Sequence, residues 1–222
     1  MSMSATEAVT SRRSIRAFTD QAVDQDVLRR ILTDAARAPS GTNIQPWQVT
    51  VLQGEARANL VDEVQAMFDS GETTGQDSYY PTEFIEPYVS RRRKIGWDLY
   101  GILGIERGQW EKTKAQHRKN YEFFGAPVGL LFSLDRTMRN GGWLDVGLYM
   151  ANVMALAREA GLDTCPQAAW LEYSGTVEAH LGWGEDRSLV CGMALGYADA
   201  SDVVNDLRTE RAPLDEFVDF RE

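Results

Sequence analysis

The chain has 222 residues, of which 43% are hydrophobic, and its formal net charge is −10. This composition supports a folded core and excludes a disordered chain, and the acidic balance argues against nucleic acid as a partner. No run of about 18 apolar residues occurs, and the N-terminus lacks the basic and apolar pattern of a signal peptide. We therefore expect a cytoplasmic protein with no membrane span.

The first third of the chain combines helical and extended patterns. Residues 6–18 indicate a short helix followed by a cluster of arginines. Apolar residues at helical spacing predict a second helix that begins at Asp24 and ends before Pro39. Alternating apolar residues predict a strand over residues 47–52, and a third helix follows over residues 55–68.

The arginine cluster contains Ser11, Arg12, Arg13, Ser14 and Arg16. A guanidinium presents a planar fork of donors that matches a phosphate, and hydroxyls add further donors. The cluster is consistent with a phosphate-binding site. It is equally typical of an amphipathic helix turn with a solvated basic face.

A polar loop over residues 38–47 contains two prolines and one glycine. Its hydrogen-bonding side chains are those of Ser40, Thr42, Asn43 and Gln45. These groups either cap the backbone of the loop itself or grip a polar, planar ligand.

The second half of the chain begins with a predicted buried strand over residues 127–134 and a loop over residues 135–142. Residues 143–160 give the strongest helical pattern, and Gly161 ends the helix. This helix is apolar over most of its circumference, so it must be buried within one subunit or at a dimer interface.

The remaining elements are a short strand within residues 165–170, a buried strand over residues 189–194 and an apolar tail over residues 214–220. We see no internal repeat and no linker that would divide the chain. The sequence therefore predicts a single α+β domain over residues 1–222.

Several motifs are missing. There is no GxGxxG, no GxxxxGK[ST] and no GxSxG, so the common dinucleotide, P-loop and hydrolase patterns are unsupported. The two histidines, His117 and His180, have no acidic or cysteine cluster at metal spacing, and we predict no metal site. Cys165 and Cys191 form no CxxC and are expected to be free thiols.

Taken together, SRRSIRAF at residues 11–18 and PSGTNIQPW at residues 39–47 resemble the FMN-dependent nitroreductase family. FGAP at residues 124–127, GLDTCPQ at residues 161–167 and RTERAPL at residues 208–214 agree with that resemblance. The resemblance implies a nitroreductase-like α+β fold with a mostly antiparallel sheet flanked by helices. It also implies an intertwined homodimer that binds FMN where the subunits meet.

Residue roles follow from the same resemblance. Arg12, Ser14 and Arg211 would hold the phosphate and ribityl region, and Arg16 would lie near the pyrimidine edge of the flavin. The second subunit would supply the loop side chains of residues 40–45. The predicted cofactor-binding set is Arg12, Arg13, Ser14, Arg16, Ser40, Thr42, Asn43, Gln45, Asn120, Pro166, Gln167, Ala168, Arg208 and Arg211.

The implied activity is the reduction of nitroaromatic compounds by NADPH or NADH. Hydride would pass through flavin N5 in a ping-pong scheme that requires no catalytic side chain, and a small aromatic acceptor would bind in turn. Backbone N–H groups of Gln167 and Ala168 would face N5, and the charge of Arg16 would stabilise the reduced flavin.

Other activities remain open on the same residues. Relatives with this resemblance reduce quinones or enones, or remove iodine from iodotyrosine. A non-enzymatic flavin-binding protein and a phosphate-binding module without flavin are alternatives from other classes.

Residues 69–118 form a variable, aromatic-rich excursion from the family pattern. Its rings either cover the flavin and stack on an aromatic substrate, or pack among themselves. The basic run at residues 91–94 is typical of a solvated helix face, and contact with the extra phosphate of NADPH is the alternative. The aromatic side chains are Tyr79, Tyr80, Phe84, Tyr88, Trp97, Tyr100 and Trp110.

Overall fold

A four-stranded antiparallel sheet lies at the centre of the computed structural model, which describes residues 3–75 and 79–222. The strand order is β1-β2-β4-β3, and each neighbouring pair is antiparallel. The predicted mostly antiparallel sheet is confirmed. The strands are β1 (Gln48–Leu52), β2 (Val128–Asp135), β3 (Asp163–Gln167) and β4 (Arg187–Gly196).

Helices pack on both faces of this sheet. The predicted helices are present, but the helix expected over residues 143–160 begins earlier, at Arg139. The glycines at 141 and 142 weaken the local helical signal, and packing overrides that weak propensity. The helices are α1 (Ala5–Ser11), α2 (Gln25–Ala35), α3 (Gly54–Ser70), α4 (Tyr88–Ile102), α5 (Trp110–Arg118), α6 (Arg139–Glu159) and α7 (Ser174–His180).

Two apolar clusters share the sheet as their common wall. Leu130, Phe132 and Leu134 face the cluster that α2 and α6 complete, whereas Leu131 faces the cluster of α3 and α7. A β-bulge interrupts the register of β2 and β4, where Phe132 pairs with Cys191 and Ser133 with Leu189. The shared sheet supports the proposal that residues 1–222 form one domain.

The excursion at residues 69–118 consists mainly of α4 and α5, and residues 76–78 of it lie outside the described part of the chain. Several of its rings remain at the surface: Trp97 is 63% exposed and Trp110 is 74% exposed. Within the described residues, none of the helices is both long enough and apolar enough to cross a membrane.

Gly192 of β4 lies directly beneath the indole of Trp170. Trp170 is fully buried and stacks on Phe123 with 4.5 Å between ring centroids. A Cβ atom built at Gly192 would lie 2.3 Å from Cδ1 of Trp170, well inside van der Waals contact. Gly192 pairs with Gln167 of β3, so this close packing supports the end of the strand that carries several predicted site residues.

We predict that Gly192→Ala lowers the free energy of unfolding by about 1–3 kcal/mol, because the indole cannot move without disturbing the core. Urea denaturation at a fixed protein concentration measures the change. Gly141→Ala is the matched control, since nothing lies within 4 Å of its added Cβ and the residue is in a helix. Equal stability of the two variants would contradict the packing argument.

Candidate functional site

The segment over residues 12–19 is held beside β3 and the chain that follows β4. Ile15 donates its backbone N–H to the carbonyl of Thr164 at 3.1 Å, and Thr19 donates to the carbonyl of Tyr197 at 2.9 Å. Ser14 forms a parallel bridge with Thr164. These bonds anchor the backbone of the arginine cluster to the sheet.

Asn205 secures the same segment through its side chain. Its Oδ1 accepts the N–H of Arg16 at 2.8 Å, and its Nδ2 donates to the carbonyls of Ala17 and Asp199, each at 2.8 Å. The residue is only 5% exposed. Sequence reasoning missed Asn205, because a single asparagine outside any motif gives no signal of such a role.

Arginines from three parts of the chain line one cavity of about 680 Å³. No aspartate or glutamate of the described residues contributes to its lining. Of the arginines that line it, only Arg158 has a carboxylate partner within the described part of the chain, Asp163 at 2.8 Å. The cavity therefore has an excess of positive charge in a chain of net charge −10. The five arginines are Arg12, Arg13, Arg158, Arg208 and Arg211.

The arginines of this cavity differ in what they contact. Burial lowers the pKa of Arg12, and the nearby charge of Arg211 lowers it further. Arg13 and Arg208 each donate to the carbonyl of Asn205 at 2.9 Å. An anion in the cavity would relieve the repulsion between Arg12 and Arg211.

A second part of the site lies at the end of β3, where Gln167 is the last residue of the strand. Its Nε2 donates to the carbonyl of Asn120 at 2.7 Å, while its Oε1 is buried without a partner among the described residues. The side-chain amide of Asn120 donates instead to the carbonyl of His117. Pro166 precedes Gln167 in β3, and Ala168 begins the 3-10 helix that follows.

One strand connects these two parts. Thr164, which bridges Ser14, lies three residues before Gln167 in β3, a span of about 10 Å in an extended strand. The structure therefore places the arginine cavity and the segment of Ser14 and Arg16 near Gln167 and its hydrogen-bond partner Asn120.

The loop over residues 40–45 has an unusual backbone. Thr42, Asn43 and Gln45 have φ angles of 47°, 61° and 48°, a region that non-glycine residues seldom adopt. Ser40 Oγ accepts the N–H of Gln45 at 3.0 Å, so the loop does cap part of its own backbone. Among the described residues, no hydrogen bond joins this loop to the arginine cavity or to Gln167.

A carboxylate from α6 supports this loop. Asp145 is 5% exposed, and both of its oxygens lie 3.3 Å from the N–H of Gly41. Sequence reasoning missed Asp145 as well, although an acidic residue near the start of the largely apolar helix of residues 143–160 was an available signal.

Neither cysteine is arranged for nucleophilic or redox chemistry. Both are free and buried, and burial raises the pKa of each thiol, that of Cys191 to about 12. In residues 3–75 and 79–222, no group of three or more His, Cys, Asp or Glu side chains is placed to hold a metal ion.

The fold and this site define a class: an α+β protein with an arginine-lined cavity beside the edge strand of an antiparallel sheet. Residues 9–197 match the Nitroreductase family. The chain belongs to that family.

Individual relatives are similar over nearly the whole chain. A 4-nitrobenzoate reductase of Nocardioides sp. strain LMS-CY is 38% identical over 216 residues, which cover 96% of this chain and 87% of that protein. The FMN- and NADPH-dependent nitroreductase NfnB of Sphigopyxis sp. strain HMH superposes with a TM-score of 0.95 at 42% identity and covers 99% of both chains. NfnB of Mycobacterium smegmatis, solved with NADPH, superposes with a TM-score of 0.94 at 32% identity over 98% of both chains.

We predict that Asp145→Ala lowers the free energy of unfolding by about 0.5–1.5 kcal/mol, because the N–H of Gly41 loses its acceptor. Hydrogen exchange at the Gly41 amide should accelerate in parallel. Asp145→Asn keeps an acceptor of similar size and serves as the control, with a smaller loss. Unchanged exchange at Gly41 in the alanine variant would show that Asp145 does not hold the loop.

Proposed function

We propose that this chain is an FMN-dependent enzyme that reduces nitroaromatic compounds, including nitrobenzoates, with NADPH or NADH as the electron donor. The observation that carries the proposal is the cavity lined by both Arg12 and Arg211, with no acidic residue among its described lining residues. The reported FMN and NADPH dependence of similar solved structures supports the same assignment.

The residues fit the chemistry of FMN. The cavity offers guanidinium donors and the hydroxyls of Ser11 and Thr209 to a phosphate, and Arg12 and Arg211 would be its main contacts. Ser14, Arg13 and Arg208 would complete that end. The ring end would lie near Pro166, Gln167 and Ala168, where the Oε1 of Gln167 is a buried acceptor without a partner among the described residues.

Arg16 and Asn120 would lie between the two ends. Asn205 binds the backbone N–H of Arg16, and the Arg16 guanidinium donates to the carbonyl of Ser14 at 3.2 Å. These two contacts would hold the positive charge of Arg16 near the flavin ring. When bound, FMN accepts a hydride from NAD(P)H and passes electrons to the acceptor. The side chains named here bind and orient it and supply charge.

We propose further that the enzyme is a homodimer whose sites each draw on both chains. The loop of Ser40, Thr42, Asn43 and Gln45 has no hydrogen bond to the arginine cavity within the described part of one chain, so a second copy would supply it. Leu144 on α6 is 66% exposed, and Phe217 and Phe220 in the C-terminal tail are 67% and 78% exposed. Apolar surface of this kind is typical of an interface between subunits. We place the enzyme in the cytoplasm, which agrees with two free thiols.

An absorption spectrum of the purified protein tests the cofactor and the reaction together. We expect flavin bands that bleach on anaerobic addition of NADPH or NADH and return on addition of 4-nitrobenzoate. A colourless protein that fails to bind added FMN would reject the proposal. Flavin that no nicotinamide reduces would indicate a binding protein without the proposed activity.

We predict that Arg12→Ala weakens FMN binding about tenfold or more, because a charge-assisted phosphate contact is lost, and leaves the affinity for riboflavin unchanged. Fluorescence titration of the flavin-free protein with both flavins measures the difference. Arg118→Ala removes an equal charge from an exposed pair with Asp69 and serves as the control. Equal weakening of FMN and riboflavin by Arg12→Ala would place Arg12 away from the phosphate.

A further inference from the structure

A groove in the excursion is lined by aromatic rings. It has a volume of about 1010 Å³ and lies between α4, α5 and the segment that precedes α4. Phe84, Trp97, Tyr100 and Trp110 contribute rings to it. Both indoles are largely exposed, and apolar surface gathered on one concave face is typical of a ligand-binding groove.

The two faces of α4 differ in how their positive charges are neutralised. On one face, Arg91 pairs with Glu216, and Lys94 pairs with Asp98 at 2.8 Å and with Glu210 at 3.5 Å. This face packs on the C-terminal segment that carries Arg211. The basic run predicted at residues 91–94 is therefore partly neutralised within the chain.

The face of α4 toward the groove has no such pairing. Arg92 and Arg93 line the groove together with Arg107, and none of the three has an ion pair with any residue of the described ranges 3–75 and 79–222. Glu83 and Glu106 also line it. Three positive and two negative side chains leave one net positive charge, which matches a ligand with one negative charge better than a doubly charged phosphate.

Arg92 lies over two aromatic rings. Its guanidinium carbon lies 4.6 Å from the ring centroid of Phe84 and 5.4 Å from that of Tyr80. A guanidinium that stacks through its flat face keeps its in-plane N–H donors for another group, and their fork matches a carboxylate.

We propose that this groove binds a small aromatic carboxylate, whose ring packs on Trp97 and Trp110 and whose carboxylate pairs with Arg92. The groove lies one helix away from the segment of Arg211, a distance of about 10 Å. The assignment of the ligand as an acceptor substrate on its way to the flavin rests on the proposed function. The binding itself does not.

Calorimetric titration of the purified holoprotein without reductant tests the groove directly. The probes are 4-nitrobenzoate and its uncharged counterpart 4-nitrobenzamide. We expect Arg92→Gln to weaken 4-nitrobenzoate about tenfold, the loss of one charge-assisted contact, and to leave 4-nitrobenzamide unchanged. Trp97→Leu should weaken both compounds. Arg91→Gln removes the same charge from the opposite face of α4 and should leave both affinities within about twofold.

Three results would overturn the inference. Arg92→Gln and Arg91→Gln could weaken 4-nitrobenzoate equally, which would mean that only overall charge matters. Arg92→Gln could have no effect, which would place the carboxylate elsewhere. Adenosine 2′,5′-bisphosphate could compete with 4-nitrobenzoate and lose more affinity in Arg92→Gln, which would make the groove a nucleotide site.

The test separates the groove from the proposed function. Arg92-dependent binding in a protein that reduces no nitroaromatic with NADPH would keep the groove and reject the activity. Normal reduction of nitroaromatics, with 4-nitrobenzoate binding that is unchanged in Arg92→Gln, would keep the activity and reject the groove.

Discussion

The placement of Arg12 and Arg211 in one cavity is the constraint on which the site depends. Among the described residues, no acidic side chain contributes to the lining of this cavity, so other contacts must hold the two guanidinium groups there. On the side of Arg12, backbone hydrogen bonds to β3 and to Asn205 fix the chain over residues 12–19. These bonds do not depend on the charge state of the cavity. A bound anion would offset the positive charge of the cavity.

On the side of Arg211 the support is weaker. The C-terminal segment is attached to α4 through the pairs of Arg91 with Glu216 and of Lys94 with Glu210, and these side chains are about half or more exposed. Exposed pairs of this kind contribute at most about 1 kcal/mol each. The segment of Arg211 is therefore held less firmly than the segment of Arg12. Helix α4 meets this segment on one face and the aromatic groove on the other.

Periodicity predicted the four strands and most of the helices, because it carries that information. The family resemblance predicted Arg12, Arg13, Arg208 and Arg211, which line the arginine cavity, but Arg158 of the same cavity was not predicted. Neither predicted Asn205 or Asp145, whose roles depend on contacts across 189 and 104 residues. The start of α6 was also wrong by four residues, since Gly141 and Gly142 lower local propensity while packing keeps the helix intact. Within residues 91–94, no sequence pattern distinguishes Arg91, which pairs with Glu216, from Arg92, which has no ion pair among the described residues.

The supply of acidic residues does not explain which arginines stay unpaired. The chain has 33 acidic and 23 basic side chains, so each cation has carboxylates to spare. Arg118, Arg136 and Arg158 do pair, with Asp69, Glu178 and Asp163. Within the described residues, the arginine cavity and the aromatic groove nevertheless both contain arginines without an ion pair: Arg12, Arg13, Arg208 and Arg211 in the cavity, and Arg92, Arg93 and Arg107 in the groove. A protein of net charge −10 repels anions at long range, and salt screens that repulsion beyond about 8–10 Å. These local arginines would then make contact favourable for the proposed anionic cofactor and the proposed anionic substrate.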